Sequence, residues 1–180
     1  MAQSTSLRSL AGTLTRPSVA ASTVAAVALA TILGALYIEH VLGVKPCELC
    51  LKQRIPYYAG VPLAVVVAVA ASRARTGLRP AVGLCLLALV FAVGAVMGGY
   101  HSGVEWGLWA GPSDCTGTIA KPAAMSDFLK QLDTVKVVRC DEVAMRIFGL
   151  SLAAWNAVIA AGLAALALAG AARAFATAPR

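Results

Sequence analysis

Charge is what this sequence has least of: Asp, Glu, Lys and Arg make up 13% of its 180 residues, against 59% hydrophobic. A soluble domain of that composition would be short of polar side chains for its surface, so the first reading is a membrane protein. Aromatic residues are also few, at 6%, and no basic stripe interleaves with them, so the net charge of +7 does not indicate nucleic acid. No internal repeat and no low-complexity tract beyond alanine-rich stretches is present. The length fits a single domain over residues 1–180.

The missing charge is missing in blocks. Residues 18–38 carry none, close to the roughly 20 residues a helix needs to cross the hydrocarbon core. A cleaved signal peptide would have a shorter apolar region ending in small residues. This one runs into Leu36-Tyr37-Ile38-Glu39-His40, which predicts a retained span. Residues 55–71 form a second uncharged segment, in which Pro56 and Pro62 predict a kink or a late helix start. A third covers 80–100, with Gly94, Gly98 and Gly99 placed to let a neighbouring helix approach. A fourth covers about 147–170. The expectation is an all-α membrane protein, a four-transmembrane-helix bundle with loops at 39–54 and 101–146.

Acid is absent from one whole side of that bundle. The two ends and the 72–79 loop hold Arg8, Arg16, Arg73, Arg75, Arg79, Arg173 and Arg180 and no Asp or Glu. All eight acids and the other eight Lys and Arg fall on the opposite side. An excess of Lys and Arg marks the cytoplasmic face. Both termini are therefore expected in the cytoplasm, with loops 39–54 and 101–146 outside. In the long loop, Trp106 and Trp109 suit an interfacial belt. Met125, Phe128, Leu129, Leu132 and Val135 recur at helical spacing among charged neighbours. They predict a short amphipathic helix, lying on the bilayer or packed on its own loop.

Five cysteines are present, and their positions carry the chemistry. Cys85 falls inside the third span, where a thiol acts as a small apolar side chain. Cys47, Cys50, Cys115 and Cys140 all fall outside, and in a bacterium that compartment sustains disulfides. Cys47-Glu48-Leu49-Cys50 can close a small disulfide ring, and Arg54 follows the second cysteine by four residues. On a helix that spacing would bring the guanidinium to the face of the thiolate, and a helix start near Cys47 would favour the thiolate further. The alternative is an arginine that anchors the span by snorkelling to the headgroups. Cys115 and Cys140, 25 residues apart, can pair only if the long loop folds back. Two pairs, one at the membrane lip and one on a long loop, suggest a relay by thiol–disulfide exchange. The other reading of all four is a structural zinc site. His40 and His101 lie near the same surface, as interfacial side chains or as ligands.

With these residues assembled, the chain resembles the bacterial disulfide bond formation protein B (DsbB) family. The residues that carry the resemblance are Glu39-His40-Val41, Lys45-Pro46-Cys47-Glu48-Leu49-Cys50 and Gln53-Arg54, then Tyr100-His101, Glu105, Cys115, Cys140 and Phe148-Gly149-Leu150. The related vitamin K epoxide reductase family has its Cys-x-x-Cys late in the bundle, the reverse of the order here. The resemblance implies a protein-disulfide:quinone oxidoreductase of the bacterial inner membrane with its redox cysteines in the periplasm. Disulfides Cys47–Cys50 and Cys115–Cys140 are implied. A reduced DsbA-like, thioredoxin-fold partner would attack Cys115, and the released Cys140 would attack Cys47. Cys50 would then be the thiolate facing a quinone, ubiquinone or menaquinone, with Arg54 near a quinone oxygen. Competing functions are a membrane electron carrier with haem on His40 and His101, and a scaffold held by zinc or disulfides.

Overall fold

A computed structural model describes residues 12–74, 77–112 and 139–177. Its elements are α1 (Pro17–His40), α2 (Glu48–Lys52), α3 (Ile55–Ala74), α4 (Leu78–Glu105), β1 (Arg146–Ile147), β2 (Leu150–Ser151) and α5 (Leu152–Ala176). Four stretches are long and apolar enough to cross a membrane: α1, the α2–α3 unit, α4 and α5. The protein is a four-helix membrane bundle.

Local signals set the helix starts. Pro17 is the first residue of α1, after an extended Arg16, where the missing N–H costs nothing. Ile55 opens α3, so Pro56 falls in the first turn for the same reason. Pro62 lies inside α3, which continues as one element through it. The fourth span differs from the expectation of a start near 147. Phe148 and Gly149 adopt positive φ, 51° and 83°, and turn β1 back on β2 with Ile147 opposite Leu150 and Arg146 opposite Ser151. Ser151 then caps α5, its Oγ accepting from the Ala154 N–H at 3.1 Å. Lack of charge marks apolar sequence but does not separate an apolar hairpin from the helix it leads into.

Each long helix packs on two others, in the cyclic order α1, α3, α4, α5, while the α1–α4 diagonal is nearly untouched. The core on the ring axis is built from Val24, Leu84, Leu87, Phe91, Ala167 and their neighbours. Small residues bring the helices together. A Cβ on Gly98 would stand 2.7 Å from the backbone nitrogen of Ala157, so α4 and α5 touch backbone to backbone there. Gly94 faces Pro56 and Ala160, whereas Gly99 faces open space, contrary to the expectation that all three glycines serve packing. Large apolar side chains such as Leu33, Val66, Leu89 and Val96 point outward, as lipid contact requires. The segment expected to be an amphipathic helix, around 125–135, lies outside the described residues.

Candidate thiol redox site

Cys47 lies just before α2, as its N-cap, and its Sγ accepts from the Cys50 N–H at 3.3 Å. The two Sγ atoms are 3.0 Å apart. That is longer than the roughly 2.0 Å of a covalent bond, so the pair expected as a disulfide stands here as two free thiols. Cys47 is buried, and its thiol is pulled well below the usual value of 9.0. The main cause is the hydrogen bond from Cys50, opposed by burial and helped by the His101 ring and the Cys50 N–H. Cys47 therefore carries the thiolate character of the open pair, sharing one sulfur–sulfur hydrogen bond with Cys50.

The second layer comes from three helices. His101, on the last turns of α4, is 2% exposed. Its Nε2 lies 3.7 Å from Cys47 Sγ and its Nδ1 lies 2.6 Å from Gln53 Nε2. Gln53 is buried in turn and accepts at Oε1 from Asn156 Nδ2 at 2.6 Å. Asn156 Oδ1 accepts from the Tyr57 hydroxyl at 2.7 Å. Followed from Tyr57, each group donates to the next, so Gln53 donates to Nδ1 and the ring proton sits on Nε2, toward Cys47. Trp109 folds back over Gly103 and donates to the Tyr100 carbonyl at 2.9 Å, which fixes the exit from α4 beside His101.

Next to the dithiol, and bordered also by Gln53, Tyr57 and Asn156, is a cavity of about 390 Å³ between α1, α3, α5 and the hairpin. Cys50 lines it; Cys47 does not. Arg54 lines it too, but its place differs from the expectation of one helix face shared with Cys50. Helix α2 ends at Lys52 and α3 starts at Ile55, so Arg54 falls in the turn between them. Its Nη1 donates to Glu39 Oε2 at 2.5 Å, with side-chain exposures of 13% and 20%. The rest of the wall is chiefly apolar, including Ile32, Ile38, Ile147, Phe148 and Ile159. A size of a few hundred Å³, an apolar lining and few convergent polar groups fit a small apolar ligand carrying a polar edge.

Cys140 packs in the same buried cluster as Cys47, Leu49 and Val104, with Cys50 against it. It is disulfide-bonded. Cys115, the expected first target of a partner, lies outside the described residues. Cys85 is a free, half-buried thiol in α4 packed against the main core. A four-cysteine zinc site is not formed, because a disulfide sulfur is no thiolate ligand. Among the described residues the two histidines do not share a space: neither lines the 390 Å³ cavity, and His40 is exposed while His101 is buried. Sequence reasoning missed Tyr57 and Asn156 as site residues. The available signal was Asn156 itself, an uncharged polar residue within an otherwise apolar span.

Fold and site together define a multi-pass membrane protein built around a thiol pair, with a third cysteine packed against it and an apolar cavity next to it. Residues 17–170 match the family described as disulfide bond formation protein DsbB, and the chain belongs to that family. It is 35% identical over 141 residues to disulfide bond formation protein B of Saccharophagus degradans, covering 75% of this chain and 81% of the relative. The corresponding protein of Herminiimonas arsenicoxydans is 33% identical over 142 residues, covering 74% and 83%. Disulfide bond formation protein B 2 of Pseudomonas syringae is 29% identical over 153 residues, covering 80% and 82%. No solved structure matches the chain. A role in disulfide bond formation follows from this membership.

Proposed function

We propose that the protein is a protein-disulfide:quinone oxidoreductase that reoxidises a DsbA-like, thioredoxin-fold dithiol protein in the bacterial periplasm. It is a multi-pass inner-membrane protein with cytoplasmic termini and periplasmic redox cysteines. The observation that carries the reading is the position of the dithiol, with Cys140 packed on Cys47 and the apolar cavity open to Cys50 and Arg54.

A thiolate of the reduced partner attacks Cys115 of a Cys115–Cys140 disulfide, forming a mixed disulfide and releasing Cys140. Cys140 attacks Cys47 of a closed Cys47–Cys50 pair, forming Cys140–Cys47 and releasing Cys50 as a thiolate. The partner's second thiol resolves the mixed disulfide and leaves oxidised. Cys115 then attacks Cys140, restoring the loop disulfide and leaving Cys47 and Cys50 as the dithiol. Bound in the cavity, a quinone (ubiquinone or menaquinone) accepts two electrons and two protons as the Cys47–Cys50 disulfide closes again. Arg54 places a positive group on the cavity wall where negative charge develops, in surroundings of low dielectric. Glu39 holds that guanidinium in place.

The test is turnover of purified protein with reduced partner and quinone. Loss of turnover in both Cys50→Ser and Cys115→Ser is the expected result. Full turnover in either overturns the relay.

A further inference from the structure

Beside the dithiol, and sharing Cys50 with the cavity, is a small second recess that the relay does not use. It holds about 20 Å³ and is lined by Cys47, Cys50, His101 and Glu105, with Arg139 and Glu142 at its rim. That is enough for one small particle; a water needs roughly 10–15 Å³. The two sulfurs and one His101 ring nitrogen all lie within 4.8 Å of one another. Buried Glu105 Oε2 has no hydrogen-bond partner among the described residues.

We propose that the open dithiol is a binding site for a thiophilic divalent cation such as zinc, held by Cys47 Sγ, Cys50 Sγ and His101 Nε2, with a water as the fourth ligand and the Glu105 carboxylate lining the same recess. The donors are those of tetrahedral Cys₂His sites with a carboxylate or water fourth. With metal–sulfur bonds of about 2.3 Å, a tetrahedral ion wants its sulfurs roughly 3.7 Å apart. The thiols, now 3.0 Å apart, reach that by a small rotation away from each other. His101 Nε2 is already 3.7 Å from Cys47 Sγ, as two ligands of one ion would be.

The layer behind the histidine also fits. A metal-bound imidazole must carry its proton on the other nitrogen and give it to an oxygen acceptor. Gln53, 2.6 Å from Nδ1, supplies that acceptor when its amide turns over. Asn156 turns with it, and its Nδ2 then donates to the Tyr57 hydroxyl. One chain of side chains therefore supports either a ring N–H aimed at Cys47 or a ring lone pair aimed at a metal.

Loading releases the remaining thiol protons to solvent and moves no electrons. It occupies both sulfurs, so the loaded pair neither closes nor exchanges. Oxidation to the disulfide removes both thiolates and expels the ion. The site therefore exists only in the reduced protein, and the metal competes with closure of the pair by the electron acceptor.

The experiment uses full-length protein in detergent, reduced, freed of reductant, and titrated with Co²⁺ as the spectroscopic probe. The expected result is one Co²⁺ per chain with a thiolate-to-cobalt charge-transfer band, displaced by Zn²⁺ and absent after oxidation of the thiols. The same band should persist in a Cys115→Ala/Cys140→Ala protein, and disappear in Cys47→Ser. Gln53→Leu should weaken binding by about 10–100-fold, as loss of a partner behind a metal-bound histidine does. Glu105→Gln, which keeps the shape and removes a negative charge from the recess, should weaken binding while keeping the sulfur band. No charge-transfer band in the reduced wild type, equal binding after oxidation, or loss of the band with the loop cysteines would each overturn the proposal. Because the readout needs neither quinone nor partner, its failure leaves the oxidoreductase reading standing, and the reverse also holds.

Discussion

Nε2 of His101 sits 3.7 Å from Cys47 Sγ although 54 residues separate them in the chain, and Cys50 Sγ lies 3.0 Å from the same sulfur. The consequence is an unequal pair. Cys47 is stabilised as a thiolate from two sides, and Cys50 is turned to the apolar cavity. A relay needs that inequality, since one sulfur exchanges with Cys140 and the other hands electrons on.

The inequality is measurable as a pH profile. Only the thiolate reacts with iodoacetamide, and a thiol whose pKa is lowered keeps its charge as pH falls until that lowered value is passed. In the reduced protein, alkylation of Cys47 should hold its rate from neutral into mildly acidic pH, with the inflection well below 9.0. Cys50→Ala should move the inflection up furthest, because the hydrogen bond from Cys50 is the largest cause; His101→Phe should move it up less. Site-resolved mass spectrometry of the labelled protein reads both. An ordinary thiol profile in the wild type would contradict the geometry.

Arg54 and Glu39 give a second prediction. Glu39 and Arg54 both line the cavity, and Glu39 accepts from the guanidinium that supplies the positive charge. Arg54→Met should cut turnover with quinone by about 10²–10³, the usual consequence of removing a positioned group that stabilises developing charge. Glu39→Gln keeps one hydrogen-bonding oxygen and should cost less, with a larger effect on KM for quinone than on kcat. Steady-state kinetics with the acceptor varied separates the two. An Arg54→Met protein with unchanged turnover would place the cation outside the chemistry.

A third prediction concerns the bundle. Gly98 meets the backbone of Ala157, one residue from Asn156, whereas Gly99 meets nothing within 4 Å. Gly98→Ala must separate α4 from α5 and should cost about 1–3 kcal/mol by overpacking. Gly99→Ala should be neutral or slightly stabilising, since alanine is the better helix former by about 1 kcal/mol. Thermal unfolding of the two variants in the same detergent makes the comparison. Equal shifts would mean that the close approach does not matter.

Much of this was readable in the sequence. The bilayer demands long uncharged helices, so the four spans follow from the blocks that lack charge. The Cys-x-x-Cys pair is visible because its two sulfurs are neighbours in sequence. The Tyr57–Asn156–Gln53–His101 chain is different, because it joins α3, α5, the α2–α3 turn and α4, and no periodicity links those positions. Arg54 shows the same limit: spacing pointed it at Cys50, but the break between α2 and α3 turned it toward Glu39. The start of α5 was hidden because Phe148-Gly149 lacks the Asn-Gly signature of a tight hairpin.

That hairpin supplies the last prediction. Phe148 is the one non-glycine residue with positive φ among the described residues, at 51°, and its ring is 94% exposed while forming part of the cavity wall. An aromatic residue in the left-handed region costs about 1–2 kcal/mol, where asparagine is tolerated. Nothing in local folding favours phenylalanine here, and strain of this kind tends to persist where a side chain serves the site. Phe148→Asn should therefore raise stability, by about 1 kcal/mol, while raising KM for quinone as the apolar wall is lost. Phe148→Leu keeps the strain and much of the wall, so it should leave both quantities near the wild type. Opposite shifts in thermal stability and KM for the asparagine variant, against little change for leucine, separate a ring that covers the acceptor cavity from one that only closes a turn.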